Sequence, residues 1–127
     1  MNSQKSILVA ADDVPLLQVL AVRLRSEGYH VILAQDSHQA EQRATDNTPD
    51  LLLLDTNLPS NDGVQIQDRV KRTNALNGAP VVYLTGATGD QLDPRTLGPT
   101  AVAVLHKPFD ASTLLATVRD ALGTAVV

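Results

Sequence analysis

The chain has 127 residues, of which 43% are hydrophobic and 19% charged, with no Cys and no Trp. This length suits one domain, residues 1–127, and is long enough to bury a hydrophobic core without cross-links. The absence of Cys excludes disulfides, Cys-ligated zinc and a thiol nucleophile, and makes the cytoplasm the expected location. The formal charge of −4, with no basic cluster longer than Lys71-Arg72, argues against direct nucleic-acid binding. No apolar run approaches the length of a membrane span, so no membrane partner is expected.

Short apolar runs alternate along the chain with segments of helical periodicity. The first half predicts, in chain order, a strand at 7–11, a helix over 16–24, a strand at 31–34, a helix over 36–46 and a strand at 51–54. The second half predicts a helix over 64–76, a strand at 81–84, a short helix within 89–99, a strand at 101–105 and a helix over 114–122. Five alternations of strand and helix indicate an α/β fold: a flavodoxin-like, doubly wound five-stranded parallel sheet with helices on both faces.

The two halves of this pattern differ in regularity. Four consecutive leucines at 51–54 are typical of a strand buried on both faces of a parallel sheet. The segment 89–99 has few apolar anchors and contains Pro94, Gly98 and Pro99, so only a short helix is expected there.

Polar side chains follow four of the predicted strands. Asp12 and Asp13 come after the first, Asp55 after the third, Thr85 after the fourth and Lys107 after the fifth. Each has a structural explanation when taken alone, since a strand-terminal Asp often caps the next helix and a loop Lys is usually a solvated charge. In an open parallel sheet, however, these strand ends share the edge where ligands bind.

The acidic residues at this edge indicate a metal site. Three carboxylates that converge repel one another, and proteins usually tolerate this where a cation neutralises them. Oxygen ligands without His or Cys favour Mg²⁺. A carboxylate beside Mg²⁺, a hydroxyl and an ammonium group suits phosphoryl transfer, in which the carboxylate attacks phosphorus and the cations neutralise charge.

Four segments carry a resemblance to a known family. They are LVAADDVP around Asp12 and Asp13, LLLLDTNLP around Asp55 with Gly63 beyond it, VVYLTG around Thr85, and HKPF around Lys107. In this order and at these strand ends, the chain resembles the receiver domain of response regulators in two-component signalling. The resemblance covers essentially the whole chain.

The resemblance implies a role for each acidic residue. Asp55 accepts a phosphoryl group from a phosphohistidine of a histidine kinase or a histidine phosphotransfer protein. Asp13 and Asp55 bind Mg²⁺ together with the backbone carbonyl of Asn57, and Asp12 acts through a metal-bound water. Enzymatic character is then limited to the domain's own phosphorylation and dephosphorylation.

The resemblance also implies how the other residues act. Lys107 pairs with Asp55 at rest and with the phosphoryl oxygens afterwards, the Lys107-Pro108 bond is cis, and Thr85 moves toward the phosphate. The phosphodonor docks on the face of the first helix. The regulated partner is a downstream protein or an output domain outside this chain.

One position departs from the family pattern. Receivers that switch through an aromatic residue carry it three residues before the Lys, where this chain has Val104. The preferred interpretation is that Val104 fills the strand and that switching uses the Thr85 loop alone, with Tyr83 as the alternative switch residue. The three histidines, His30, His38 and His106, lack ligand spacing and are expected to have surface or structural roles.

Two other functions compete. A haloacid-dehalogenase-type Mg²⁺ phosphatase would also use a strand-terminal Asp nucleophile, here Asp55. That family needs a second acid two residues later, where this chain has Asn57, and it places its nucleophile on the first strand. A flavin-binding protein is disfavoured because no phosphate-cradling loop follows the first strand and aromatic residues are few.

Overall fold

The computed structural model describes residues 4–56, 79–86 and 101–124, and the structural statements below refer to these residues. The strands are β1 (Ser6–Ala10), β2 (His30–Ala34), β3 (Leu51–Asp55), β4 (Val81–Thr85) and β5 (Ala101–His106). The helices are α1 (Val14–Ser26), α2 (Ser37–Asn47) and α3 (Ala111–Thr124). The predicted helices over 64–76 and within 89–99, and the residue Asn57, lie outside the described residues.

The five strands form one parallel sheet in the order β2-β1-β3-β4-β5. The chain starts at β1, adds β2 on one side and then continues with β3 on the other side. The strand order therefore reverses between β1 and β3, and the carboxyl end of this strand pair is where open α/β sheets bind ligands. The predicted fold class is confirmed.

The sheet is buried on both faces. One face carries β-strand residues such as Val9 and Leu53 against α1 and α3. The other face carries alternate residues such as Leu8 and Leu54 against α2. All four leucines of β3 are at most 3% exposed, because successive strand side chains point to opposite faces and each face is covered.

An aspartate directly precedes each described helix and caps its N-terminus. The side chains of Asp13, Asp36 and Asp110 accept hydrogen bonds from the backbone N–H groups of Leu16, Gln39 and Thr113, respectively. These bonds satisfy donors that have no partner inside the helix. As a result, α1 begins at Val14 and α3 at Ala111, both earlier than the apolar periodicity predicted.

Three strands end one residue later than predicted. Asp55 pairs with Leu84 and Thr85 pairs with His106, so the ladder continues through Asp55, Thr85 and His106. The predicted ends were too early because the apolar run stops before the backbone pairing does. The polar residues Asp55 and Thr85 are thus held by the sheet itself.

None of the described helices combines the length and the apolar character needed to cross a membrane.

Candidate functional site

The centre of the candidate site is an ion pair between β3 and the segment after β5. Asp55 is 1% exposed at the end of β3. The Nζ of Lys107 donates a hydrogen bond to Oδ2 of Asp55, and the Lys107 side chain is 27% exposed. A carboxylate this deeply buried needs a compensating charge, and Lys107 supplies it. The contact that the resemblance implies is present.

Backbone hydrogen bonds hold the strand ends in place. The N–H of Thr56 donates to the carbonyl of Leu84, and the N–H of Lys107 donates to the carbonyl of Thr85, both at 2.9 Å. The Lys107-Pro108 peptide is cis, as expected. Both partners of the ion pair are therefore fixed by the continuation of the sheet.

The register places Thr85 beside the ion pair. Because Asp55 pairs with Leu84, Thr85 lies one residue further toward the carboxyl edge of the sheet. Thr85 is fully buried and in register with His106, the residue before Lys107. The three strand ends thus converge on the same edge, as the sequence predicted.

The acidic pair Asp12-Asp13 lies on the other side of β3. Ala10 pairs with Leu54, so both acids come just beyond the ladder between β1 and β3. Both are exposed. Oδ1 of Asp13 accepts a hydrogen bond from the Leu16 N–H at 3.1 Å, so the capping explanation is confirmed for Asp13.

The donor set fits Mg²⁺ in its chemistry but is not arranged as a finished site. Asp12, Asp13 and Asp55 offer only oxygen ligands and stand at the edge of two neighbouring strands, which suits a hard cation. Within the described ranges no group of three or more His, Cys, Asp or Glu side chains is placed to hold a metal ion. The predicted Mg²⁺ ligands, including the Asn57 carbonyl outside the described residues, stay a prediction.

A groove of about 410 Å³ opens beside the site. One wall is α1, with Leu16, Val19 and Arg23, and the other is formed by the segment from Lys107 through Phe109 and the start of α3. Asp13 and Lys107 also line the groove, which is otherwise mostly apolar. We call it the α1–α3 groove. Its sequence signal was weak: a valine, Val19, outside the regular apolar spacing of α1, and a phenylalanine after Pro108.

The residues considered for switching belong to the core. Tyr83 is fully buried and in register with Val104, and both pack in the cluster on the α2 face of the sheet. Val104 is half-buried. A signalling role for Tyr83 stays a prediction.

The histidines lie on the surface. His30, His38 and His106 are all exposed, consistent with the surface roles expected for them.

Comparison with known proteins agrees with this fold. The family model described as the response regulator receiver domain matches residues 7–119. Among curated relatives, the phosphate regulon transcriptional regulatory protein PhoB of Pseudomonas aeruginosa is 31% identical over 118 residues, which cover 93% of this chain and 52% of that protein. The transcriptional regulatory protein PdtaR of Mycobacterium tuberculosis is 32% identical over 119 residues, which cover 93% of this chain and 57% of that protein.

Solved structures show the same architecture. A CheY-like response regulator receiver domain protein from Methanospirillum hungatei superposes with a TM-score of 0.85 and 24% identity, covering 97% of both chains. The parallel sheet, the buried strand-terminal aspartate and its lysine partner define a receiver module of two-component signalling. The chain belongs to the response regulator receiver domain family. It spans about half the length of the curated relatives it matches.

Proposed function

We propose that this receiver domain accepts a phosphoryl group on Asp55 from a phosphohistidine of a histidine kinase or phosphotransfer protein. The observation that carries the proposal is the Asp55–Lys107 ion pair at the carboxyl edge of the sheet. Asp55 is the buried carboxylate of the described core, and a cation already contacts one of its oxygens. Family membership supports the same residue by its position in the motif.

In the proposed transfer, a carboxylate oxygen of Asp55 attacks the phosphorus. The new P–O bond forms as the P–N bond to the donor imidazole breaks, and the electron pair of that bond stays on the imidazole nitrogen. The ammonium group of Lys107, which contacts Asp55 before the transfer, then pairs with the phosphoryl oxygens. Mg²⁺, when bound, supplies a second positive charge that shields the carboxylate and the phosphoryl group from each other.

Thr85 is the proposed reporter of phosphorylation. It is fully buried one register step beyond Asp55, on the strand next to it. Its hydroxyl is the group that would bind a phosphoryl oxygen, while its backbone carbonyl is bonded to the Lys107 N–H. A movement of the Thr85 backbone would therefore displace Lys107, at the start of the segment after β5.

The α1–α3 groove is the proposed docking surface for the phosphodonor. Its apolar walls and the exposed Val19, 58% accessible, offer area for a partner helix. Lys107 lines the groove and also contacts Asp55, so a partner seated there has its phosphohistidine beside the acceptor. Histidine kinases and phosphotransfer proteins are the partners proposed.

The regulated partner is proposed to be a protein module. The relatives PhoB and PdtaR are named as transcriptional regulators, and this chain spans about half the length of each. We infer that the domain, residues 1–127, controls an output module, either attached or separate. The charge of −4 supports contact through protein and not through direct DNA binding.

Phosphorylation by a small donor tests the acceptor. The protein is incubated with acetyl phosphate and Mg²⁺, and its intact mass is measured beside that of Asp55→Asn. We expect the mass of one phosphoryl group on the wild type, none on the variant, and loss of the signal with EDTA. An equal gain of mass on Asp55→Asn would contradict the proposal.

The same samples test the phosphatase alternative. A phosphatase releases many phosphates per protein molecule from a phosphate ester such as p-nitrophenyl phosphate. We expect no such turnover, because Asn57 cannot protonate a leaving group. Sustained turnover lost in Asp55→Asn would favour the phosphatase.

A further inference from the structure

The hydroxyl of Thr56 is a buried polar group that the proposed function leaves unused. Thr56 directly follows Asp55 and is 6% exposed, and its Oγ1 has no hydrogen-bond partner among the described residues. The backbone of Thr56 is satisfied, because its N–H donates to the carbonyl of Leu84 at 2.9 Å. Burial of a hydroxyl without a partner is destabilising and uncommon in folded proteins. The Thr56 hydroxyl therefore calls for an explanation beyond the resting fold.

The strand register sets Thr56 opposite Thr85. Asp55 pairs with Leu84 in the ladder between β3 and β4. The next step of the same register pairs Thr56 with Thr85, and the bond from the Thr56 N–H to the Leu84 carbonyl continues the ladder to this point. Neighbouring strands lie about 4.8 Å apart, so two hydroxyls that turn toward each other there come within hydrogen-bond distance.

The side chains of Thr56 and Thr85 belong to the same face of the sheet. Successive residues of a strand alternate between its two faces. Leu54, two residues before Thr56, and Tyr83, two residues before Thr85, both pack in the cluster on the α2 face. Thr56 and Thr85 therefore lie side by side on that face, and Thr85 is the hydroxyl of β4 that Thr56 is placed to meet.

We propose that Thr56 is a positioning residue, whose hydroxyl donates a hydrogen bond to the Thr85 hydroxyl when Thr85 binds a phosphoryl oxygen. This rests on the proposed function, which assigns phosphoryl binding to Thr85. A threonine hydroxyl donates one proton and also accepts, so Thr85 can donate to the phosphoryl oxygen and accept from Thr56 at the same time. Two hydrogen bonds in such a chain strengthen each other. Phosphorylation thus gives the Thr56 hydroxyl a bond that it makes to no described residue at rest.

Binding of beryllofluoride, a mimic of the phosphoryl group on an aspartate, tests the proposal on the full chain. Beryllium is titrated in excess fluoride and Mg²⁺, and the bound fraction is measured from amide NMR peaks. Valine resembles threonine in shape but lacks the hydroxyl. We expect Thr56→Val to bind about fivefold more weakly than the wild type, the factor that corresponds to one typical hydrogen bond. Thr56→Ser, which keeps a hydroxyl, should bind like the wild type.

Three controls separate positioning of Thr85 from a role in packing. Without beryllofluoride, Thr56→Val should resist urea at least as well as the wild type, because it removes a buried hydroxyl that has no partner. In a Thr85→Val background, the change at Thr56 should have no further effect on affinity. The hydroxyl of Ser37 is also fully buried without a partner in the described chain, but it lies on α2, which packs against β1 and β2. Ser37→Ala, the matched control, should leave the affinity unchanged.

The results that would contradict the inference differ from the result that would contradict the proposed function. Equal affinities of Thr56→Val and the wild type, or a loss of affinity that persists in the Thr85→Val background, would overturn the inference and leave the proposed function standing. Lower urea stability of Thr56→Val at rest would show that the hydroxyl is bonded before phosphorylation, and would overturn it as well. If beryllofluoride binds the wild type no better than Asp55→Asn, the proposed acceptor is wrong, and the inference with it.

Discussion

Asp55 combines deep burial with a negative charge, and its local environment explains how the fold tolerates this. Four leucines lead the strand into the interior, and the sheet continues through the carboxylate instead of ending before it. Lys107 reaches in from the solvent side with about a quarter of its side chain exposed. The Asp55 carboxylate is thus buried while the Lys107 side chain stays partly accessible, which suits the proposed acceptor of a phosphoryl group.

Removing one charge of this pair should lower the free energy of unfolding more than removing both charges. We predict that Lys107→Met lowers the free energy of unfolding by about 3 kcal/mol, because it leaves a buried carboxylate uncompensated. In an Asp55→Asn background the same change should cost about 1 kcal/mol or less. Urea unfolding of all four proteins in EDTA measures both values. An equal cost of Lys107→Met in the two backgrounds would show that the ion pair does not stabilise the fold.

The helices depend on their capping aspartates, and α3 illustrates the consequence for pH. Hydrogen bonds from the Thr113 side chain, the Thr113 backbone N–H and the Ser112 hydroxyl lower the pKa of Asp110. A carboxyl group with a lowered pKa in the folded state stabilises the protein above its unfolded pKa, about 4 for Asp. That stabilisation is lost as the pH falls through the lower folded value.

The Asp110 cap should therefore give a pH-dependent difference between the wild type and Asp110→Asn. Asparagine still caps α3 but does not titrate. We predict that the wild type gains stability relative to the variant as the pH rises from 2 to 6, with no further change to pH 8. Thermal unfolding of both proteins across this range is the measurement. A difference that is the same at every pH would exclude a contribution from ionised Asp110.

Among the elements, we propose α1 as the main contributor to partner recognition. Its inner side packs in the core through Leu17, Leu20 and Leu24, while Val19 faces the α1–α3 groove. Because its inner side is packed in the core, the outer side of α1 is available for contact with a partner.

A charge placed in the groove should slow phosphorylation by a protein donor and leave phosphorylation by a small-molecule donor unchanged. We predict that Val19→Glu slows phosphotransfer from an autophosphorylated histidine kinase, chosen for transfer to the wild type, by at least about tenfold. Phosphorylation by acetyl phosphate should stay unchanged, because Val19 lines the groove on α1 and is not one of the proposed reacting groups. Val102→Glu, an exposed valine on β5 outside this groove, is the matched control. Equal rates for Val19→Glu and wild type with the kinase would remove the groove from the docking surface.

For the whole molecule, the order of the strands creates the site. Asp12 and Asp13 follow β1, and Asp55 is the last residue of β3. Thr85 is the last residue of β4, and Lys107 follows β5 at the edge of the sheet. These residues are far apart in sequence and close at one edge, because parallel strands all direct their carboxyl ends the same way.

Much of this arrangement could be predicted from the sequence. The apolar runs and the polar residues at their ends were enough to predict the sheet and the edge at which those polar residues meet, whereas the Asp55–Lys107 contact was expected from the resemblance to the receiver family. The ends of β3, β4 and β5 were predicted one residue early because backbone pairing with a neighbour, as between Asp55 and Leu84, leaves no hydrophobic signal. The resting position of Asp13 stayed open, since the same residue type serves as helix cap and metal ligand. The groove could not be predicted, because it depends on how α1 and α3 pack side by side, and the periodicity within each helix carries no information on their packing.

We propose that the phosphoryl group resides on Asp55, and mapping the modified residue tests this. The protein is phosphorylated with acetyl phosphate and Mg²⁺, reduced with borohydride and digested, and the peptides are sequenced by mass spectrometry. Reduction converts an aspartyl phosphate to homoserine, which marks the modified position permanently. We predict homoserine at residue 55 and nowhere else. A phosphoryl group mapped to another residue, with Asp55 unmodified, would contradict it.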